Sequence, residues 1–371
     1  MTAALLFLCR INASAEYADG VSINEKTREL YGELELDELY ELLPEGAREL
    51  IGDVSKAGSS PFFTPDGIGK WILEVISSAL RLGLRGFGRV FALILIASLM
   101  KKYCDAIGRA GLSQSGELAF SVAASLVFLN LIRDDLSRLT EFFMWAKAFF
   151  TAAVPVMTAL YGMGGNVASA AANGAAMTVV LSVSELMSSS LVVPCVKLCF
   201  GLSVAGSITG EREFSPVSSF LSGAVSKLCI FFMTLISSGF FFKNILSATA
   251  DGLAVRSMKF AASAFIPVVG GAVSEATSTV VSAISVLRSS FGAFGAAALT
   301  VLFLPLLVRL YMQKLGLYLC SCLCTLLGMK NGAALCTEIS GAYSLCISAA
   351  VSVSLCLFLF CAIFAKTACV I

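Results

Sequence analysis

The chain has 371 residues, of which 57% are hydrophobic and 14% charged, with no histidine and a formal net charge of +1. Soluble domains carry about a quarter charged residues, so this composition points to one helical membrane bundle rather than to the two soluble domains the length would allow. Near-neutral charge gives no sign of nucleic acid as a partner, the missing histidine excludes Ser-His-Asp and Cys-His catalysis, and no Gly-x-x-x-x-Gly-Lys-Ser/Thr stretch exists to form a P-loop.

In chain order, residues 1–15 combine a short apolar run, Ala3 to Cys9, with small residues at Ala13 and Ala15, the pattern of a signal peptide. Residues 16–56 hold twelve Asp/Glu against four Lys/Arg. Leu36, Leu39, Tyr40 and Leu43 share a helical face up to Pro44, and Ala47, Leu50, Ile51 and Val54 repeat it. The region 16–66 therefore reads as an acidic, amphipathic, extracytoplasmic segment, either solvated or docking on a partner. Thr64-Pro65 has the form of an N-cap with proline at the first helical position. Ile68, Trp71, Ile72, Val75 and Ile76 follow on one face of a helix that lies in the membrane interface or packs on the bundle.

Residues 67–371 form the multi-span domain. Its apolar segments are Phe87–Met100, Leu118–Ile132, Phe142–Tyr161, Val167–Ile208, Val217–Phe242, a segment reaching Leu287, Phe291–Val308, Leu315–Gly328 and Gly341–Ala365. Val167–Ile208 fits either one tilted span or a hairpin. With about 20 apolar residues per crossing, the expected fold is an all-α polytopic membrane protein of roughly eight spans. Placing the acidic N-terminal region outside puts Lys101, Lys102, Arg109, Lys243, Arg256, Lys259, Arg309, Lys314 and Lys366 inside, and leaves Arg133, Arg138, Arg212, Arg288 and Lys330 outside. The thirteen cysteines read as small hydrophobes within apolar helices; on a helix Cys320 and Cys324 share a face and Cys322 points away. No cofactor is expected.

Two sets of residues are candidates for function. The first is the stretch Val255–Ala276, where Arg256 and Lys259 precede an apolar segment interrupted by Pro267, Gly270 and Gly271 and closed by Glu275. Proline removes an amide donor and glycine frees the backbone, so a helix bends or breaks here. Irregular backbone at membrane depth needs protein or water to satisfy it, which makes the stretch either a functional interior or a kinked span. The second set is the ionisable residues within spans: Glu185, with Lys147, Lys197 and Lys227. Such residues face a partner or water, unless the lysines snorkel to the interface. Small residues at Gly292 and Gly295 permit a close helix contact.

The featured stretch also resembles the stage III sporulation protein AE family. The resemblance runs through Asp251-Gly252, Arg256, Lys259-Phe260 and Phe265-Ile266-Pro267-Val268-Val269-Gly270-Gly271 to Ser274-Glu275-Ala276. It continues with Val286-Leu287-Arg288, Gly292, Gly295 and Pro305, and covers about Ala152 to Ala365 in the order of apolar segments. The family more often has Asp at 275 and Lys at 288, and its proline after the first glycine-rich loop is replaced near Asn173-Gly174. The resemblance implies a polytopic protein of the mother-cell membrane of an endospore former. It also implies membership of a channel or secretion-like assembly with other stage III sporulation membrane proteins and a separate ATPase subunit. The rival from another class is a secondary transporter whose substrate site lies at the Pro267–Gly271 break.

Overall fold

The structure, a computed structural model, describes residues 65–108, 110–209, 214–265 and 270–366, with Glu41, Leu43 and Arg48 as isolated positions. The signal-peptide segment, nearly all of the acidic region and Pro267 lie outside the described residues. Every described element is helical: α1 (Pro65–Ala106), α2 (Ala110–Met163), α3 (Val167–Glu185), a π-helical segment (Leu186–Val192), α4 (Val193–Thr209), α5 (Phe214–Phe265), α6 (Gly270–Leu326) and α7 (Lys330–Lys366). Among the described residues, five helices are long and apolar enough to cross a membrane.

Two turns show how local chemistry builds the bundle. Gly165 and Gly328 adopt φ of 76° and 78°, a left-handed backbone that glycine takes without a Cβ penalty. At the first, the amides of Gly165 and Asn166 donate to the carbonyls of Gly162 and Tyr161; at the second, those of Gly328 and Met329 donate to Thr325 and Cys324. This paired pattern satisfies the last carbonyls of a helix and reverses the chain, which makes α2–α3 and α6–α7 antiparallel hairpins.

The α6–α7 hairpin is the centre of the molecule. Its two apolar segments are each 61% buried, against 22% for that of α5. Glycine sets the spacing: a Cβ on Gly292 would lie 2.7 Å from the Ala365 Cβ, and one on Gly295 would lie 3.3 Å from the Cys361 Sγ. The close contact expected from these two glycines is therefore between α6 and α7. Phenylalanine fills the space toward α2, with Phe149 against Phe294 and Phe150 against Phe360. Cys320 and Cys324 are buried and Cys322 is exposed, as their helical spacing requires. α1 packs on α2 and α6 and buries Val90 and Ile94.

The sequence divides differently from the structure at three places. Leu118–Ile132 and Phe142–Tyr161 lie on one uninterrupted helix, α2, and Phe291–Val308 and Leu315–Gly328 lie on one helix, α6. A continuous helix crosses a bilayer once, so each merger removes one crossing from the count. Val167 to Ile208 is a single helical path with a π-helical turn in it, not a hairpin. Pro194 follows that turn by two residues, and its ring would collide with the carbonyl of Ser190 in a regular α-helix. Widening over Leu186–Val192 removes the collision.

The charge tally fails for a related reason. Lys101 Nζ donates to the Gly328 carbonyl at 2.7 Å, beside Lys330, and Arg309 pairs with Asp135, two residues from Arg133. Residues assigned to opposite sides of the membrane are thus neighbours at one level of the bundle, and the tally does not set its orientation.

Candidate functional site

The stretch Val255–Ala276 falls where α5 gives way to α6. Arg256 and Lys259 are on α5, which ends at Phe265; Gly270 and Gly271 open α6, and Glu275 lies in its second turn. Pro267 and the side chains of this stretch are outside the described residues. What the structure does describe is its two flanks, and both are anchored on the same turn.

On the α5 side, Asp251 is 4% exposed. Its Oδ1 accepts the amide of Ala168 and its Oδ2 that of Ser169, each at 2.9 Å. These are the second and third residues of α3, whose own N-cap residue, Asn166, makes no side-chain cap bond. A carboxylate from another helix thus satisfies two of the amide donors that a helix start leaves open, and its charge suits the positive end of the helix dipole. Two turns earlier on α5, Asn244 Oδ1 accepts from Asn173 Nδ2 at 3.3 Å. On the α6 side, Arg288 is buried, with its guanidinium carbon 4.3 Å from the Tyr161 ring centroid and 5.6 Å from that of Phe364. A cation over an aromatic face is stabilised by the ring quadrupole, the more so away from water. Asp251 therefore grips the start of α3 while Arg288 lies over the end of α2, so both helices that flank the candidate stretch contact the α2–α3 hairpin.

The intramembrane charges are distributed more widely. Lys147 on α2 and Glu185 at the end of α3 form an ion pair at 2.7 Å. Lys197 and Lys227 are exposed on α4 and α5 and take part in no ion pair among the described residues. Deeper in the bundle, Asp135 Oδ1 accepts from Arg309 Nε at 2.5 Å and Oδ2 from the Tyr343 hydroxyl at 2.8 Å. A cavity of about 10 Å³, the space of a single water, adjoins Asp135, Tyr343 and Val196. At the α6–α7 turn, Glu117 accepts from Lys101 Nζ at 3.2 Å and from the Asn331 amide at 3.1 Å, which ties α1 and α2 to the start of α7.

A family model described as Stage III sporulation protein AE matches residues 47–368. The chain belongs to this family. The Stage III sporulation protein AE of Bacillus subtilis (strain 168) is 26% identical over 190 residues, covering 50% of this chain and 48% of that relative. The match thus spans about half the length of the curated relative. No solved structure matches the chain. Among the residues that carry the resemblance to the stage III sporulation protein AE family, Asp251 and Arg288 are the two anchors just described. Membership ties this membrane bundle to sporulation.

Sequence reasoning missed Asp135, Arg309 and Glu117. Arg133-Asp134-Asp135 has the polarity of a loop. Asp135, however, stands in register with Ile132, Leu136 and Leu139, all buried on one face of α2; that i, i+3, i+4 spacing is the signal that could have found it. The Asp251 anchor is open to test. Asp251→Ala strips two amides of their acceptor and is expected to lower stability by about 2 kcal/mol, read as a fall in the thermal midpoint of the solubilised protein. Asp251→Asn keeps one acceptor oxygen and should lose less. Equal stability of all three forms would mean that Asp251 does not hold α3.

Proposed function

We propose that this member of the family is a non-enzymatic core subunit of a channel or secretion-like assembly that links mother cell and forespore. It would lie in the mother-cell membrane and act with other stage III sporulation membrane proteins, including a separate ATPase subunit. The observation that carries this reading is the family match across residues 47–368, on a chain whose described residues include five helices suited to a membrane. The absence of a P-loop from the sequence is in keeping with energy supplied by another subunit. The contacts of Asp251 and Arg288 tie the helices on either side of Val255–Ala276 to the α2–α3 hairpin, which supports a part in which that stretch meets a partner.

The alternative, a secondary transporter, draws on the break between α5 and α6. Transporters bind at discontinuous helices near the bilayer midplane. Deletion in the native host and complementation with a fluorescent fusion tests the choice. The expected result is a block in spore formation, relieved by a fusion that surrounds the forespore. Normal sporulation of the deletion strain, with loss of uptake of a small solute, would establish the transporter instead.

A further inference from the structure

The outer surface of the bundle mixes bulky apolar residues with hydroxyl-bearing and charged ones. Along α5 the exposed residues include Phe220, Phe231, Leu235, Phe242 and Leu246, bulky apolar groups suited to lipid tails. Along α3 and its π-helical continuation, Thr178, Ser182, Glu185 and Ser189 are exposed, with the apolar Val179 and Leu186 exposed beside them. Their spacings of four, three and four residues place them in one stripe. The three hydroxyls donate inward, to the carbonyls of Gly174, Thr178 and Glu185, which leaves their oxygens as outward acceptors. Beside the stripe stands Lys147, with its ammonium 2.7 Å from Glu185 Oε2 and the two side chains 48% and 53% exposed.

This pair lies at membrane depth. α2 and α7 run in the same direction, as the contacts Asp135–Tyr343 and Phe150–Phe360 show. Phe360 belongs to the uncharged run Gly341–Ala365, the least ambiguous crossing in the chain. Lys147 is one turn before Phe150, so at a rise of 1.5 Å per residue it sits roughly 12 Å inside the Ala365 end of that run. A lysine alone could extend to the interface, but the shorter Glu185 that holds it could not. An ion pair half open to hydrocarbon is costly, and no described element covers it.

We propose that this face is the docking surface for a second copy of the chain. Charge complementarity selects that occupant. The face is neutral overall, with one cation and one anion at the same depth, so it complements itself. Two copies in one membrane share an orientation. A two-fold axis along the membrane normal therefore brings Lys147 of one copy opposite Glu185 of the other at equal height. Ala171 and Ala175, exposed on the same stripe, let the two α3 helices approach closely. The inference stands apart from the role in sporulation, because self-association is read without it.

Two full-length copies with different tags, expressed in the same cells and solubilised in mild detergent, provide the test. Wild-type copies are expected to co-purify. Lys147→Glu gives a face with two acids and Glu185→Lys a face with two cations, so either variant paired with itself should lose co-purification several-fold. Lys147→Glu mixed with Glu185→Lys should recover the wild-type level. Each variant breaks the ion pair within its own chain, so damage to the fold alone cannot produce that recovery. A photo-crosslinking amino acid at Ser182 of the otherwise unaltered chain gives a second measurement that does not depend on charge reversal. An adduct of twice the chain mass carrying both tags is expected. Self-association indifferent to either variant, failure of the mixture to recover, or adducts only with lipid or with a different protein would overturn the proposal. If the charge variants do not accumulate, the crosslink alone decides.

Discussion

Asp135→Leu is expected to remove most of the folded protein from the membrane. The carboxylate is 3% exposed and bonded to Arg309 and Tyr343, so its loss leaves a partly buried guanidinium, 16% exposed, without its counter-charge. Breaking a buried pair from one side costs about 3–5 kcal/mol, a large share of the roughly 5–15 kcal/mol by which folded proteins are stable. Arg309→Met should cost a similar amount for the mirror-image reason. The double variant Asp135→Leu/Arg309→Met removes both charges together and should recover most of the loss. Tyr343→Phe deletes one hydrogen bond and should cost about 1 kcal/mol. Thermal unfolding of the solubilised protein, with membrane abundance beside it, gives all four values. A double variant as unstable as the sum of the singles would show that the two residues do not act as a pair.

Gly292→Leu is expected to be the more damaging of two substitutions on one helix face. Even an alanine there brings Cβ atoms to 2.7 Å across the α6–α7 contact, with the Cys361 carbonyl at 3.1 Å. Neither neighbour is the mobile end of a long side chain, so the helices must part. Overpacking of this kind costs about 1–3 kcal/mol, occasionally more, and leucine belongs at the upper end. At Gly295 the nearest atom is the Cys361 thiol sulfur at 3.3 Å, which can rotate, so Gly295→Ala should be tolerated and Gly295→Leu intermediate. The order of membrane abundance should be wild type, Gly295→Ala, Gly295→Leu, Gly292→Leu. Wild-type abundance of Gly292→Leu would mean that the hairpin is not closed there.

Much of the architecture is visible in the sequence because apolarity and small residues act locally. The uncharged run Gly341–Ala365, the glycines at 292 and 295, and the helical phase of Cys320, Cys322 and Cys324 each have the place their spacing implies. What fails is the inference from local polarity to a chain break. No glycine or proline lies between Leu118 and Val154, so nothing stops the helix at Arg133-Asp134-Asp135. Asp135 is neutralised by an arginine 174 positions away, and sequence distance hides that partner. Arg309 misleads in the same way, since a cation that ends an apolar run looks like a membrane boundary until its counter-charge is known. In the candidate stretch, α5 is described as far as Phe265 and α6 from Gly270, and the break expected at Pro267 falls between them, outside the described residues. The grip of Asp251 on α3 and the stacking of Arg288 on Tyr161 are long-range contacts that no local pattern encodes.

The central claim is that the stretch between these anchors serves function rather than packing. Spore formation by strains whose only copy carries Gly270→Leu or Glu275→Gln, compared at equal membrane abundance, tests it most directly. Gly270→Leu keeps apolarity and removes backbone freedom; Glu275→Gln keeps shape and removes charge, whereas Glu275→Asp keeps the charge. The expected result is normal insertion of all three variants, heat-resistant spores reduced toward the level of the deletion strain for Gly270→Leu and Glu275→Gln, and a milder defect for Glu275→Asp. Normal sporulation by both Gly270→Leu and Glu275→Gln at normal abundance would contradict the claim and leave a packed, kinked span in its place.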